Sequence, residues 1–147
     1  MIVFDVDLRP AIAALGMPLR AQGSRGTCSV FAITFCIELT LRQRGLVREP
    51  LSIEYLNRAK NTEHPAPQDG DFFDRIALGY TRFGMVPEAA LPYAQSYLPE
   101  TALPAELIAQ AENFPRLRGR FIKPWSVTEI VTEEQVDAIK AQLKHGQ

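Results

Sequence analysis

Histidine and cysteine are scarce in this 147-residue chain, with two of each. Cys28 and Cys36 are eight residues apart. On one helix, about 1.5 Å per residue separates them by roughly 12 Å. A disulfide needs Cα atoms within about 7 Å, so disulfide staples are excluded. Two cysteines and two scattered histidines make no metal-ligand spacing, so no metal is expected, and no motif asks for a cofactor. Charge of one sign is also lacking. The net charge is −1 with acids and bases interspersed, which excludes a nucleic-acid footprint and a polybasic membrane patch. No apolar run approaches the roughly 20 residues of a membrane span. The first residues, Met1 to Asp7, hold acids and no basic segment, so they do not read as a signal peptide. A cytoplasmic location is the default expectation, though leaderless secretion would leave no mark. Internal repeats are absent and strand signals are few.

What is present reads as helices. At 147 residues and 46% hydrophobic, one globular domain is expected over 1–147. Residues 1–21 hold few periodic signals and read as extended, with a turn at Gly16-Met17-Pro18. From Thr27 to about Arg44 the pattern is helical, with Phe31, Phe35 and Leu39 on one stripe and Cys28, Ala32 and Cys36 beside it. So wide an apolar swath predicts a helix buried through most of its length. Ser52 can cap a helix from Ile53 to Lys60. Asp71 can cap another through Phe83, with Phe72, Ile76 and Tyr80 as its stripe and Gly84 as its end. Pro104 can open a short helix to Ala111. Residues 118–127 alternate enough around Phe121 and Trp125 to predict a strand. Thr132 and Gln135 form a capping box for a last helix striped by Val136, Ile139 and Leu143. This divides the chain into an extended segment (1–21), a helical half (22–112), and a strand with a last helix (113–147).

The chemistry concentrates at Gln22-Gly23-Ser24-Arg25-Gly26-Thr27-Cys28. A cysteine in the first turn of a helix faces free backbone N–H groups and the positive end of the dipole. Both favour thiolate over thiol and raise reactivity near neutral pH. Gly23 and Gly26 let backbone approach a bound carbonyl. Gln22 supplies a neutral N–H donor for an oxyanion, a role worth about 3–4 kcal/mol in hydrolytic sites. Arg25 adds positive potential nearby. Cys36, mid-helix with no polar loop, reads instead as a small buried hydrophobe.

With those residues in view, the sequence resembles the papain-like cysteine peptidases, in particular their compact bacterial members. Val6-Asp7-Leu8-Arg9 resembles the segment that opens their mature domain. Gln22 to Ala32 resembles the oxyanion glutamine, the nucleophile and its helix. Leu51-Ser52 with Glu54-Tyr55-Leu56, Asp69-Gly70-Asp71, and Gly84 to Tyr93 resemble further segments of the family, in order. The resemblance covers about residues 5–95. It implies an α+β papain-like fold, mainly the helical half, with the strand-rich half missing or incomplete. It implies Cys28 and Gln22 as catalytic residues and Gly26, Gly70 and Asp71 as substrate-binding ones. The departures are Arg25, where many members carry a disulfide cysteine, Ser29 in place of an aromatic, and Asp71 in place of a second rim glycine.

The family's general-base histidine and orienting asparagine are expected beyond Gln147. His64 reads as a solvent-exposed loop residue and His145 as a cation suited to a helix C-terminus. The expected function is peptide-bond hydrolysis by a cysteine peptidase acting on a peptide or protein substrate, with residues 1–147 alone inactive. A non-catalytic peptide- or protein-binding module is the alternative, as is an acyl-transfer or amidase enzyme. The uncovered face of a half-domain is expected to self-associate or to meet a second chain.

Overall fold

A computed structural model describes residues 7–62, 64, 66–97, 102–119, 121–123 and 130–144. It contains six helices among those residues: α1 (Arg9–Ala14), α2 (Cys28–Gln43), α3 (Ile53–Thr62), α4 (Phe73–Phe83), α5 (Ala105–Glu112) and α6 (Glu133–Lys144). Extended pairing among the described residues is limited to one isolated antiparallel bridge between Leu51 and Pro87. The expected α+β papain-like fold is therefore not what forms. Among the described residues the chain is helical and has no sheet. The predicted strand at 118–127 falls largely outside the described residues, and its described part is not a strand. A solitary strand has no ladder partner to satisfy its backbone, so it gains nothing by being extended. Among the described residues, no helix is long and apolar enough to cross a membrane.

The chain divides into two compact units, Pro18–Arg118 and the pair of segments Met1–Met17 and Gly119–Gln147. In the larger unit, α2, α3 and α4 pack on one another, and α5 joins α4. The core takes Val30, Ile37 and Leu41 from α2, Ile53, Tyr55 and Leu56 from α3, and Ile76 and Tyr80 from α4. Each fully buried side chain of this size contributes about 1.5–3 kcal/mol. The buried stripe of α2 is Val30, Thr34, Ile37, Glu38 and Leu41. It is not the expected Phe31–Phe35–Leu39 row, which is only half-buried. Cys36, expected in the core, is exposed.

The inward turn of α2 is possible because Glu38 is satisfied. Its carboxylate accepts from Arg20 Nη2 (3.0 Å), from Arg42 Nε (3.0 Å) and from the Leu51 amide (3.1 Å). A buried carboxylate with fewer partners would cost several kcal/mol. Ser52 caps α3 as expected, with its Oγ accepting from the Tyr55 amide at 2.9 Å. On α4 the buried residues are Ile76, Gly79 and Tyr80, while Phe72 stands outside the helix and is exposed. Gly79 allows α3 and α4 to touch backbone to backbone. A Cβ there would lie 2.7 Å from the Lys60 nitrogen.

In the smaller unit, α1 was not expected. Pro10 stands in its first turn, a position where proline is compatible with a helix. Asp7 and Arg9 pair beside it at 2.9 Å. The predicted capping box of α6 is present. Gln135 donates its amide to Thr132 Oγ1 (3.3 Å), and Thr132 donates its own to Gln135 Oε1 (3.0 Å). No residue of α6 is buried, and Val136, Ile139 and Leu143 are exposed.

Candidate active site

The loop from Gln22 to Thr27 delivers Cys28 as the first residue of α2. The four leading N–H groups of an α-helix have no intrahelical acceptor, so Cys28 stands where an anion is favoured. Cys28 is exposed and free. Thr27, the N-cap residue, does not cap through its side chain. Its hydroxyl meets Tyr93 Oη at 2.6 Å instead, and Tyr93 Oη donates to the Gln22 carbonyl at 3.0 Å. The Tyr93 ring also meets Phe31 edge-on, with centroids 5.1 Å apart. One tyrosine thus ties both ends of the loop to the first turn of α2.

Gln22 directs its side-chain Nε2 at the Arg25 carbonyl, within the loop. An amide nitrogen carries two hydrogens. One donates to the Arg25 carbonyl. Arg25 does not project positive potential toward Cys28 as expected. Its side chain is buried and paired with Glu54 at 2.5 Å and Asp69 at 2.7 Å. Two carboxylates neutralise its charge.

The rim residues meet the loop from the other side. Gly26 is exposed and Gly70 is buried. A Cβ at Gly70 would fall 2.3 Å from the Gly26 carbonyl oxygen. The Asp71 amide donates to Ser29 Oγ at 3.2 Å, one residue beyond Cys28. The backbone of Gly70 is already engaged. Its N–H donates to Asn57 Oδ1 (3.1 Å), and its carbonyl accepts from Lys60 Nζ (2.6 Å). Gly26, Ser29, Gly70 and Asp71 are therefore brought together beside Cys28, but Gly70 offers no unengaged backbone pair to an extended peptide.

His64 is not the exposed loop residue expected. Its side chain is 14% exposed, and its Nε2 lies 3.6 Å from Asp71 Oδ2. Its Nδ1 accepts the Ala66 amide at 3.0 Å. With one ring nitrogen accepting and the other facing Asp71, it is occupied in holding the loop. His145 lies outside the described residues.

Lys60 is the least expected member of this wall. Its Nζ donates to the Gln68 and Gly70 carbonyls, both at 2.6 Å, and lies 3.9 Å from Asp71 Oδ2. Burial pushes its ammonium down from 10.5 to about 8, against the opposing pull of Asp71 and Asp69. A neutral amine keeps two N–H groups, one for each carbonyl. The depressed value means that the unfolded chain holds more protons from about pH 8 upward. Stability is then expected to rise with pH across that window. Above pH 10 the gain is opposed by Tyr55, whose phenol burial raises to about 12. Urea melts between pH 7 and 10 test this. The rise is expected in the wild type and absent in Lys60→Met, and an identical rise in both proteins would refute it.

No family model, no curated protein and no solved structure matches the chain. The site therefore rests on its own chemistry. Among the described residues, no group of histidines, cysteines and acids could hold a metal ion. Sequence reasoning missed Glu54, Asn57, Lys60 and Tyr93 as supports of the loop. Only the Glu54–Arg58 pair, four residues apart on α3, had a local signature.

Proposed function

We propose that this chain carries the nucleophile of a cysteine-type peptidase, as its resemblance to papain-like enzymes implies, on a helical framework of its own. The observation that carries the reading is an exposed cysteine at the first position of a long helix, with a glutamine amide turned into the same loop. In this reading the Cys28 thiolate attacks the carbonyl carbon of a peptide bond. The carbonyl π pair moves onto oxygen, where the second Gln22 N–H and the Cys28 backbone N–H hold it. The C–N bond then breaks, the amine leaves with a proton, and water hydrolyses the thioester. A histidine from outside residues 1–147 is proposed as the base, as the resemblance implies; His64 Nδ1 accepts the Ala66 amide and its Nε2 lies 3.6 Å from Asp71 Oδ2.

The two cysteines provide an internal control. Both are exposed at the surface. Partial burial raises the Cys36 thiol, whereas Cys28 stands at a helix N-terminus. Iodoacetamide at pH 7 is expected to modify Cys28 about tenfold faster than Cys36. Equal rates in the folded protein would remove the basis for an activated thiolate. A peptidyl chloromethyl ketone is expected to label Cys28 alone, and labelling that persists in Cys28→Ala would exclude Cys28 as the peptide-facing thiol.

A further inference from the structure

We propose that Arg25 is a positioning residue for Cys28, a buried guanidinium that clamps the nucleophile loop against three separate parts of the fold. The inference rests on the thiol reading above. Arg25 is 3% exposed along its side chain. It grips Asp69 with two parallel bonds, Nε to Oδ2 (3.0 Å) and Nη2 to Oδ1 (2.7 Å). Its Nη1 reaches Glu54 Oε2 on α3 (2.5 Å) and the Ala94 carbonyl (2.8 Å). The guanidinium lies over the Tyr93 ring, 4.6 Å from its centroid.

The anchors are themselves held. Asp69 accepts from Asn57 Nδ2 (3.0 Å), and Glu54 accepts from Arg58 (3.1 Å). The same tyrosine that receives the guanidinium binds the Gln22 carbonyl and the Thr27 hydroxyl. Arg25's own carbonyl takes the Gln22 side chain. Arg25 therefore sets the loop backbone, the oxyanion amide and the start of α2 in one move, without touching a reacting atom. Surface salt bridges contribute little, but a buried pair deprived of one partner is severely destabilised, so moving the loop out of this arrangement is costly. The fork is specific to arginine. A lysine carries the charge but cannot make two parallel bonds to Asp69 while also reaching Glu54 and Ala94.

The experiment measures alkylation of Cys28 and Cys36 by iodoacetamide from pH 5 to 9 in the wild type, Arg25→Lys and Asp69→Asn. All three are held well below their melting temperatures. If Arg25 positions Cys28, both variants lower the Cys28-to-Cys36 rate ratio about tenfold or more. They also shift the midpoint of the Cys28 pH–rate curve and leave Cys36 unchanged. A ratio and midpoint equal to wild type in either folded variant would overturn the proposal. So would loss of fold in both, since Arg25 would then be only a structural tie. The wild-type ratio judges the thiolate reading by itself. If it is near one in wild type, that reading fails and Arg25 has no nucleophile to position.

Discussion

Gly70→Ala is expected to destabilise the larger unit by about 2–5 kcal/mol, combining the cost of a left-handed backbone for a residue with a Cβ and the cost of overpacking. Gly70 has φ +62°, and its would-be Cβ lies 2.3 Å from the Gly26 carbonyl oxygen. The obstacle is backbone, so no rotamer change relieves it. The neighbouring contacts allow little retreat, because the Gly70 amide is bonded to Asn57 and its carbonyl to Lys60. Relief requires the loop carrying Gly26 to move away from the rim. The substitution is therefore expected to slow Cys28 alkylation as well as to lower the urea midpoint. A loss below about 1 kcal/mol would show that the two loops do not meet as described.

Glu38→Ala is expected to cost about 3–5 kcal/mol, the penalty for breaking a buried ion pair. Glu38 is fully buried. Its removal leaves the Leu51 amide and the partly buried Arg20 guanidinium without that acceptor. Arg20 keeps the Leu51 carbonyl at 2.6 Å and Glu88 at 3.7 Å, so it is weakened rather than released. Glu38→Gln retains an acceptor oxygen and is expected to lose about half as much. Urea unfolding of the two variants checks the order. A near-neutral Glu38→Ala would mean that the inward face of α2 does not depend on this carboxylate.

Glu38 also explains why the buried face of α2 departs from its hydrophobic spacing. Hydrophobic spacing placed Phe31, Phe35 and Leu39 inward. The fold turns α2 so that Val30, Thr34, Ile37, Glu38 and Leu41 are inside. A carboxylate reads as solvent-facing until Arg20, 18 residues earlier, and the Leu51 amide, 13 residues later, are seen to surround it. Arg25 misled in the same way. It read as a source of positive potential beside Cys28, and its partners Glu54 and Asp69 lie 29 and 44 residues away. Helical spacing points Phe72 inward and a mid-helix position without a polar loop points Cys36 inward, yet both are exposed.

The helices that depend on nearby residues are legible in the chain. These include α2 with Cys28 at its head, α3 behind the Ser52 cap, α4 ending at Gly84, α5 after Pro104, and the Thr132–Gln135 box of α6. Their hydrogen bonds and caps span only a few positions, so local residue order is enough to specify them. The α+β class went further than local order allows, since a sheet exists only when distant strands pair, and none forms among the described residues. Tertiary structure alone decided which face of α2 is buried, that Gly70 meets Gly26, and that His64 faces Asp71. It also decided that Arg25 is enclosed rather than exposed. Those outcomes are set by ionic and steric contacts between residues far apart in the chain, whose favourable energy appears only once the fold brings them together.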